Sequence, residues 1–281
     1  MKRSPWKITG LVGLALVCIL GAELAACRVA EPDLFEKLTR PVMETAQGIA
    51  QWGKGLAEDF RKPKMSEETP VDQRASDPAL PTDRPVEDPK ITEFATREDE
   101  KEVLLGGSAE MVYFNQSEAP WASQPYGPDD VGGYGCGPTC MAMLVSTLTE
   151  KTVDPAEMAA WAYEKGYCAP GSGSYCALIT GTAETYGLTV QSFRELTADA
   201  LTEALASGHL FAALMTKGHF TSGGHFILLR GVTLEGKILV ADPNSRERSL
   251  TAWDPELILE ELSSTRSAGA PLWQFDLRSQ A

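Results

Sequence analysis

The chain has 281 residues, of which 39 are acidic and 25 are basic, and its formal net charge at pH 7 is −14. This acidic balance excludes nucleic acid as an expected partner, because phosphate binding needs clustered Lys and Arg. Hydrophobic residues make up 43% of the chain, enough for a packed core, which excludes a wholly disordered protein. Only one apolar run has the length of a membrane span, so a polytopic transporter is also excluded.

The first 27 residues have the pattern of an export signal. Three basic residues precede an uncharged run over residues 8–22, and Glu23 and the tetrapeptide Leu-Ala-Ala-Cys, which ends at Cys27, follow. A basic start, a short apolar run and small residues are typical of a signal peptide. We therefore predict that residues 1–27 direct the remainder of the chain out of the cytoplasm.

The tetrapeptide that ends at Cys27 also resembles a bacterial lipobox. By this resemblance Cys27 would become the first residue of the mature protein and carry a lipid, which would anchor the protein to the outer face of the cytoplasmic membrane. Two alternatives remain open. Residues 8–26 are long enough for an uncleaved signal anchor, and ordinary cleavage near Ala26 would release the protein. All three place the domain outside the cytoplasm, and the first two make the N-terminus its membrane contact.

Two segments separate this signal from the domain. In residues 28–61, apolar side chains recur at steps of three and four between Phe35 and Phe60, which predicts an amphipathic helical stalk. Residues 62–107 follow, and their first 41 positions hold six prolines, 12 acidic and 7 basic residues with almost no aliphatic side chains. Such a composition cannot bury much apolar surface, so we predict a disordered linker there.

Residues 108–281 have alternating apolar segments and turn signals that predict a folded domain. Most of the predicted helices come first and most of the β-like runs come later. This order indicates an α+β fold with an antiparallel sheet and not a doubly wound parallel sheet. The predicted helices are residues 138–148, 154–166, 174–186, 198–206 and 254–262, and the predicted strands are residues 111–114, 188–193, 210–215, 226–232, 237–241 and 272–277.

The candidate nucleophile is Cys136, which lies between Gly135 and Gly137 where a helix is predicted to begin. The glycines allow a sharp turn and the close approach of a substrate, and a helix N-terminus favours the thiolate form of a cysteine. A thiolate in this position is what covalent acyl chemistry needs. The alternative is a buried cysteine in a tight turn. Cys140, one helical turn later among apolar residues, is predicted to be a core residue.

A thiolate of this kind needs a base, and the chain has three histidines. His225 follows two glycines and begins an apolar strand, so that its ring has room beside another active group, and it is our preferred base. His219 lies in a loop and is the second choice. His209 begins another apolar strand and is predicted to be structural.

The base in turn needs a group that orients its ring and stabilises the imidazolium form. Folding the predicted hairpin of residues 226–232 and 237–241 returns Asp242 and Asn244 to the end that carries His225. Counting along the two strands does not choose between them. A carboxylate stabilises the imidazolium better than an amide does, so charge favours Asp242.

Five motifs follow one another along the domain: Tyr113-Phe114-Asn115-Gln116, Pro120-Trp121, Gly135-Cys136-Gly137-Pro138-Thr139, Gly223-Gly224-His225-Phe226 and Ala241-Asp242-Pro243. Together they resemble the C-39-like cysteine peptidases, relatives of the papain fold that include bacteriocin leader peptidases. The likeness covers residues 109–277. It implies a papain-like α+β fold in which N-terminal helices pack on an antiparallel sheet. Neither an ATPase nor a membrane-spanning half follows, so the toxin-exporter branch is not expected.

The resemblance also implies a role for each site residue. Cys136 would be the nucleophile, His225 the base and Asp242 the group that orients it. Gln116 would donate to the oxyanion together with the backbone N–H of Cys136. The separation between Gln116 and Cys136 is longer than in papain itself, which leaves Gln124 as a competitor for this role.

The expected activity is hydrolysis of peptide or amide bonds in a peptide or protein substrate. Two alternatives remain: a hydrolase of peptidoglycan stem peptides, and a catalytically silent binding module that retains the motifs as structure. No cofactor is expected, because the histidines and cysteines lack a zinc spacing.

A disulfide is a further prediction. Cys168 and Cys176 flank a turn-rich segment, and an exported protein meets oxidising conditions, so we predict that they pair or lie close together. The alternative is two free thiols that pack separately.

Overall fold

The computed structural model describes residues 68, 70–75, 92–107 and 109–276. The predicted export signal, Cys27 and the stalk lie outside these residues, as does most of the predicted linker. No helix in the described part of the chain is long and apolar enough to cross a membrane.

The described residues contain seven α-helices. Asp154 caps the third of them, accepting a hydrogen bond from the Glu157 N–H at 2.8 Å, as the Asp-Pro start of this helix leads one to expect. The helices are α1 (Val131–Tyr134), α2 (Cys136–Leu148), α3 (Pro155–Glu164), α4 (Ala177–Tyr186), α5 (Ala198–Ala206), α6 (Arg246–Leu250) and α7 (Pro255–Glu260).

The prediction of a disordered linker over residues 62–107 is wrong for residues 92–107. There the chain forms β1 (Phe94–Thr96) and β2 (Glu102–Leu104), which pair antiparallel, and β2 pairs in turn with β3 (Met111–Val112). The first two strands are only three residues long, and the charged residues between them form a turn. The average composition of residues 62–107 therefore does not reveal these short strands. Val103 and Leu104 of β2 are nevertheless buried.

Two pairs of very short strands follow along the chain. They are β4 (Pro125–Tyr126) with β5 (Asp129–Asp130), and β6 (Cys168–Ala169) with β7 (Gly173–Ser174), both antiparallel. Each pair closes a tight turn that contains a glycine of positive φ, Gly127 at 66° and Gly171 at 69°. Glycine adopts this conformation without a steric penalty, which explains the turn signals in both segments.

The largest sheet has six strands that pair antiparallel throughout, which confirms the predicted α+β class. The strands are β8 (Val190–Ser192), β9 (Leu210–Met215), β10 (His225–Val232), β11 (Ile238–Ala241), β12 (Ala252–Trp253) and β13 (Leu272–Phe275). Their order from one edge of the sheet to the other is β12-β11-β10-β9-β13-β8.

Helices cover both faces of this sheet. The alternating residues Leu210, Ala212 and Leu214 of β9 pack in a cluster with α2, α3 and α4. Their neighbours along the strands, such as Phe211 and Ile227, pack in a second cluster with α5 and α7. Because both faces are buried, β9 is a continuous apolar run and β10 is apolar from Phe226 to Leu229, without the polar alternation of a half-exposed sheet.

A buried guanidinium fastens the small sheet of β1, β2 and β3 to the domain. Arg230 of β10 donates from Nη1 to the carbonyl oxygens of Leu105 and Gly106, at 3.2 and 2.6 Å, and from Nη2 to the Thr92 hydroxyl. Its Nε donates to the Val240 carbonyl at 3.1 Å. Burial lowers the pKa of Arg230 to about 10.

We expect Arg230→Met to lower the free energy of unfolding by about 3 kcal/mol, because four acceptors lose a charged donor and one of them, the buried Val240 carbonyl, cannot regain water. Urea unfolding of the full chain measures this change. Arg194→Met is the matched control, since Arg194 is exposed, and it should change the stability by less than about 0.5 kcal/mol. Equal stability of the two variants would contradict the anchoring role of Arg230.

Candidate active site

Cys136 is the first residue of α2 and has no exposed surface. A side chain at Gly135 would collide with Val131 of the preceding helix, and one at Gly137 would collide with Ser174. Both glycines are therefore required by close packing at the start of α2. The thiol lies at the helix N-terminus, where the unpaired N–H groups carry a partial positive charge.

His225 is the first residue of β10, and its ring joins two partners. Its Nε2 lies 2.8 Å from Oδ1 of Asp242, and the Cys136 side chain is close enough to the ring to influence its pKa. Burial by itself disfavours the charged ring and lowers its pKa. The negative charge and hydrogen bond of Asp242, followed by the contact with Cys136, outweigh burial and raise the pKa of His225 to about 9.

Asp242, and not Asn244, faces the histidine. The register that pairs Leu228 with Ala241 would place Asn244 opposite His225 if the ladder continued. The chain leaves the ladder at Asp242, which forms a bridge with Ser245 around a two-residue turn. The turn directs Asn244 outward, where its Oδ1 accepts from the Ser117 hydroxyl at 2.8 Å.

A second cation holds the Asp242 carboxylate from its other side. The Nε of Arg248, a buried residue of α6, donates to Oδ2 of Asp242 at 2.5 Å. Burial alone would raise the pKa of Asp242, but His225 and Arg248 outweigh it and lower this pKa below the usual value. Arg248 is not predictable from the sequence, because nothing in the local pattern marks an arginine of a short polar helix as buried.

The backbone of Asp242 is fixed as well. Its N–H donates to the Ser249 hydroxyl at 2.9 Å, and its carbonyl accepts from the Tyr113 hydroxyl at 2.9 Å. Burial raises the pKa of Tyr113 above its usual value, so this hydroxyl remains a donor. Together these contacts hold the carboxylate in position against the ring.

Gln116 lies between the strand end that carries Asp242 and the segment that precedes Cys136. Its backbone N–H donates to the Pro243 carbonyl at 2.7 Å, and its Nε2 donates to the Gly132 carbonyl at 2.9 Å. Its buried Oε1 accepts no hydrogen bond from the described residues. The competing Gln124 has an exposed side chain.

The other two histidines lie elsewhere and are partly exposed. His219 hydrogen-bonds with Glu261 and packs edge-on against Trp253, and His209 pairs with Asp276 at 3.0 Å. All three histidines thus have an acidic partner, but only the His225 pair is buried, with 4% and 0% of the two side chains exposed. Burial distinguishes the candidate base from the other two.

Cys140 is a core residue, as predicted. It is fully buried one turn below Cys136, and its thiol donates to the Phe226 carbonyl at 3.4 Å. Burial raises its pKa well above the usual value, which keeps the thiol protonated and unreactive.

The predicted disulfide between Cys168 and Cys176 is not present, and both thiols are free. Cys168 lies in β6, where its partner across β7 is Ser174. Cys176 comes two residues after Ser174 and directly precedes α4. The Cys168 thiol donates to the Tyr126 carbonyl at 3.4 Å. Burial raises the pKa values of Cys168 and Cys176 to about 11 and about 12, respectively.

One further residue at the thiol comes from the predicted linker. Oε1 of Gln73 lies 3.6 Å from Sγ of Cys136 and accepts the thiol hydrogen. Gln73 is 1% exposed, which nothing in a proline-rich acidic segment predicts.

Among the described residues, no group of three or more His, Cys, Asp or Glu side chains could hold a metal ion.

Comparison with known proteins now identifies the family. The model described as the Peptidase_C39 like family matches residues 109–260, just over half of the chain. The chain belongs to this family. Membership confirms the predicted resemblance and the papain-like α+β fold, and it indicates a hydrolase of the cysteine-peptidase type.

A solved structure and the curated proteins complete the comparison. A crystal structure described as that of a candidate C39-like peptidase from Bacillus anthracis matches with a TM-score of 0.38 and 13% identity. The match covers 59% of this chain and 95% of that one. No curated protein matches the chain significantly.

The raised pKa of His225 predicts a pH-dependent stability. The charged His225–Asp242 pair contributes fully to the free energy of unfolding below pH 6.5, and the contribution is lost as the pH rises through about 9. Asp242→Asn removes the charge that raises this pKa, so we expect a smaller decline over the same range. Urea unfolding across this pH window tests it, and an unchanged decline in Asp242→Asn would contradict the assignment.

Proposed function

We propose that this protein is an exported, membrane-tethered cysteine peptidase that hydrolyses peptide or amide bonds through an acyl-enzyme. The observation that carries the proposal is the buried His225 ring, which is hydrogen-bonded to the buried Asp242 carboxylate and lies near enough to Cys136 for that residue to influence its pKa. A nucleophile, a base and a group that orients the base, in hydrogen-bonded sequence, are the arrangement that acyl transfer needs.

In the first half of the mechanism, the neutral form of the His225 ring takes the proton of Cys136 and the thiolate attacks the substrate carbonyl carbon. The Cys136 N–H would hold the oxyanion, together with the Gln116 Nε2 once this group releases the Gly132 carbonyl. One such donor contributes roughly 10²–10³ in rate. His225 then gives its proton to the leaving amine as the C–N bond breaks, which leaves a thioester on Cys136.

In the second half, water replaces the amine. His225 removes a proton from the water, the oxygen attacks the thioester carbonyl, and the C–S bond breaks to release the acid. The thiolate regains the proton from His225. Throughout, Asp242 fixes the ring orientation and stabilises the imidazolium, and Arg248 keeps Asp242 ionised.

One observation favours a second candidate, a catalytically silent binding module. Cys136 has no exposed surface, whereas a nucleophile must reach its substrate. A peptidase and a silent binding module differ in whether the Cys136 thiol reacts and whether the protein turns over a substrate.

We expect Cys136→Ala to abolish turnover and labelling by a cysteine-directed probe, with a melting temperature within a few degrees of the wild type. The measurement is labelling of the full chain, followed by a screen of a peptide library and zymography on cell walls. Cys140→Ala is the matched control in the same helix and should retain both. Full activity of Cys136→Ala would refute the enzyme. A protein that is unlabelled and inactive both as the wild type and as Gln73→Ala, which lacks the side chain at the thiol, would favour the silent module. Activity on cell walls alone would identify a peptidoglycan hydrolase.

Membrane tethering is a separate part of the proposal and is supported by the order of the N-terminal segments. If Cys27 carries a lipid, Cys27→Ala should remove the label of a fatty-acid analogue and leave the protein unprocessed or released from the membrane fraction. Cys18→Ala is the matched control and should remain labelled. Absence of label in the wild type would contradict lipidation, and a wholly cytosolic protein would contradict any tether.

A further inference from the structure

Residues 71–75, which we call the cover segment, lie over the nucleophile. Gln73, at its centre, is almost fully buried and accepts the hydrogen of the Cys136 thiol at 3.6 Å. Its neighbours Asp72 and Arg74 are exposed. One inward side chain between two outward ones is the pattern of an extended strand that lies in a groove.

Main-chain hydrogen bonds hold the cover segment on both sides of the thiol. One of its partners, Gly224, directly precedes His225, and another lies in α1, just before Cys136. The segment therefore bridges the two halves of the proposed active site. The pairs are the Asp72 carbonyl with the Gly224 N–H, the Gln73 N–H with the Ser172 carbonyl at 3.1 Å, and the Ala75 N–H with the Gly133 carbonyl at 2.6 Å.

The Gln73 carboxamide fits its surroundings through both of its polar atoms. Its Oε1 accepts from the Ser174 N–H at 3.0 Å, and its Nε2 donates to the Ser174 carbonyl at 2.9 Å. A carboxylate has no hydrogen for this carbonyl, and an apolar side chain would leave both backbone groups unpaired. The subsite therefore discriminates in favour of a glutamine-type amide.

Glycines line the groove where the cover segment lies. A side chain at Gly224 would collide with Val71, and one at Gly173 would collide with Gln73. Exposed main-chain donors and acceptors on such a surface bind an extended peptide largely independently of its sequence, and side-chain pockets add the selectivity. This is the mode of binding that a peptide substrate needs.

We propose that the cover segment occupies the substrate groove in cis, and that the groove accepts an extended peptide with a glutamine-type side chain beside Cys136 once the segment leaves. The inference rests on the proposed peptidase function. A segment on the same chain has a high effective concentration, so it excludes a free peptide unless it is displaced. This accounts for a Cys136 thiol that is hydrogen-bonded to Gln73 and has no exposed surface.

The test compares alkylation of Cys136 by iodoacetamide in full-length variants, with each thiol followed by mass spectrometry. Gln73→Ala removes the side chain over the thiol, and Ala75→Pro removes the N–H that binds Gly133. We expect Cys136 to react about tenfold faster in each variant, because the segment opens more often. Arg74→Ala, an exposed residue of the same segment, is the matched control and should react at the wild-type rate.

Cys140 is the internal reference, because it reacts only when the core opens. Faster labelling of Cys136 with unchanged labelling of Cys140 supports the proposal. Unchanged labelling of Cys136 in both variants overturns it. Parallel acceleration of both thiols in both variants also overturns it, since the segment would then be a part of the fold and not a removable occupant.

A peptide with the sequence Val-Asp-Gln-Arg-Ala tests the subsite. It should slow the labelling of Cys136 in Gln73→Ala, and its counterpart with Glu in place of Gln should protect less. Equal protection would overturn the glutamine preference. These measurements need no turnover. Faster labelling of Cys136 without hydrolysis would refute the proposed peptidase function and leave the proposal for the cover segment standing. Hydrolysis with equal labelling in all variants would refute the proposal for the cover segment alone.

Discussion

The site depends on one buried carboxylate. Asp242 has no exposed surface, and an isolated charge in such a position would be strongly unfavourable. It is tolerated because His225 and Arg248 bind its two oxygens and the surrounding backbone and hydroxyl groups fix its main chain. The same contacts that compensate for its burial also hold the imidazole in one orientation. Stability and proposed catalysis are therefore linked at this residue.

The helix that carries the nucleophile is placed against the histidine by packing on the sheet. Apolar residues of α2 pack in one cluster with residues of the central strands. Within this cluster, the Cys140 thiol donates to the carbonyl of Phe226, which follows His225. This contact fixes the start of the helix beside the start of β10. Two cysteines one turn apart thus differ in their surroundings: Cys136 lies at the helix terminus near His225, and Cys140 is a protonated core group.

The N-terminal part of the domain extends further than its composition indicates. Arg230 binds the turn after β2, and the cover segment binds on either side of Cys136, so residues upstream of position 108 contact both the core and the site. A charged, proline-rich segment can thus act through its backbone and a few side chains without burying much apolar surface. In a tethered enzyme, such a segment would also connect the anchor to the groove.

The sequence alone determined the α+β class, the nucleophile candidate at the Gly-Cys-Gly helix start and the histidine of the glycine-flanked strand. These are local signals, since turn residues, apolar periodicity and helix starts are each recognised from a few consecutive residues. Only the tertiary structure decided between Asp242 and Asn244, because the chain leaves the strand ladder at a turn that register counting does not include. The contacts of Arg248 with Asp242 and of Gln73 with Cys136, and the free state of Cys168 and Cys176, were also decided there. Each depends on burial or on contact between distant segments. Neither can be read from the identity of a residue and its neighbours in the sequence.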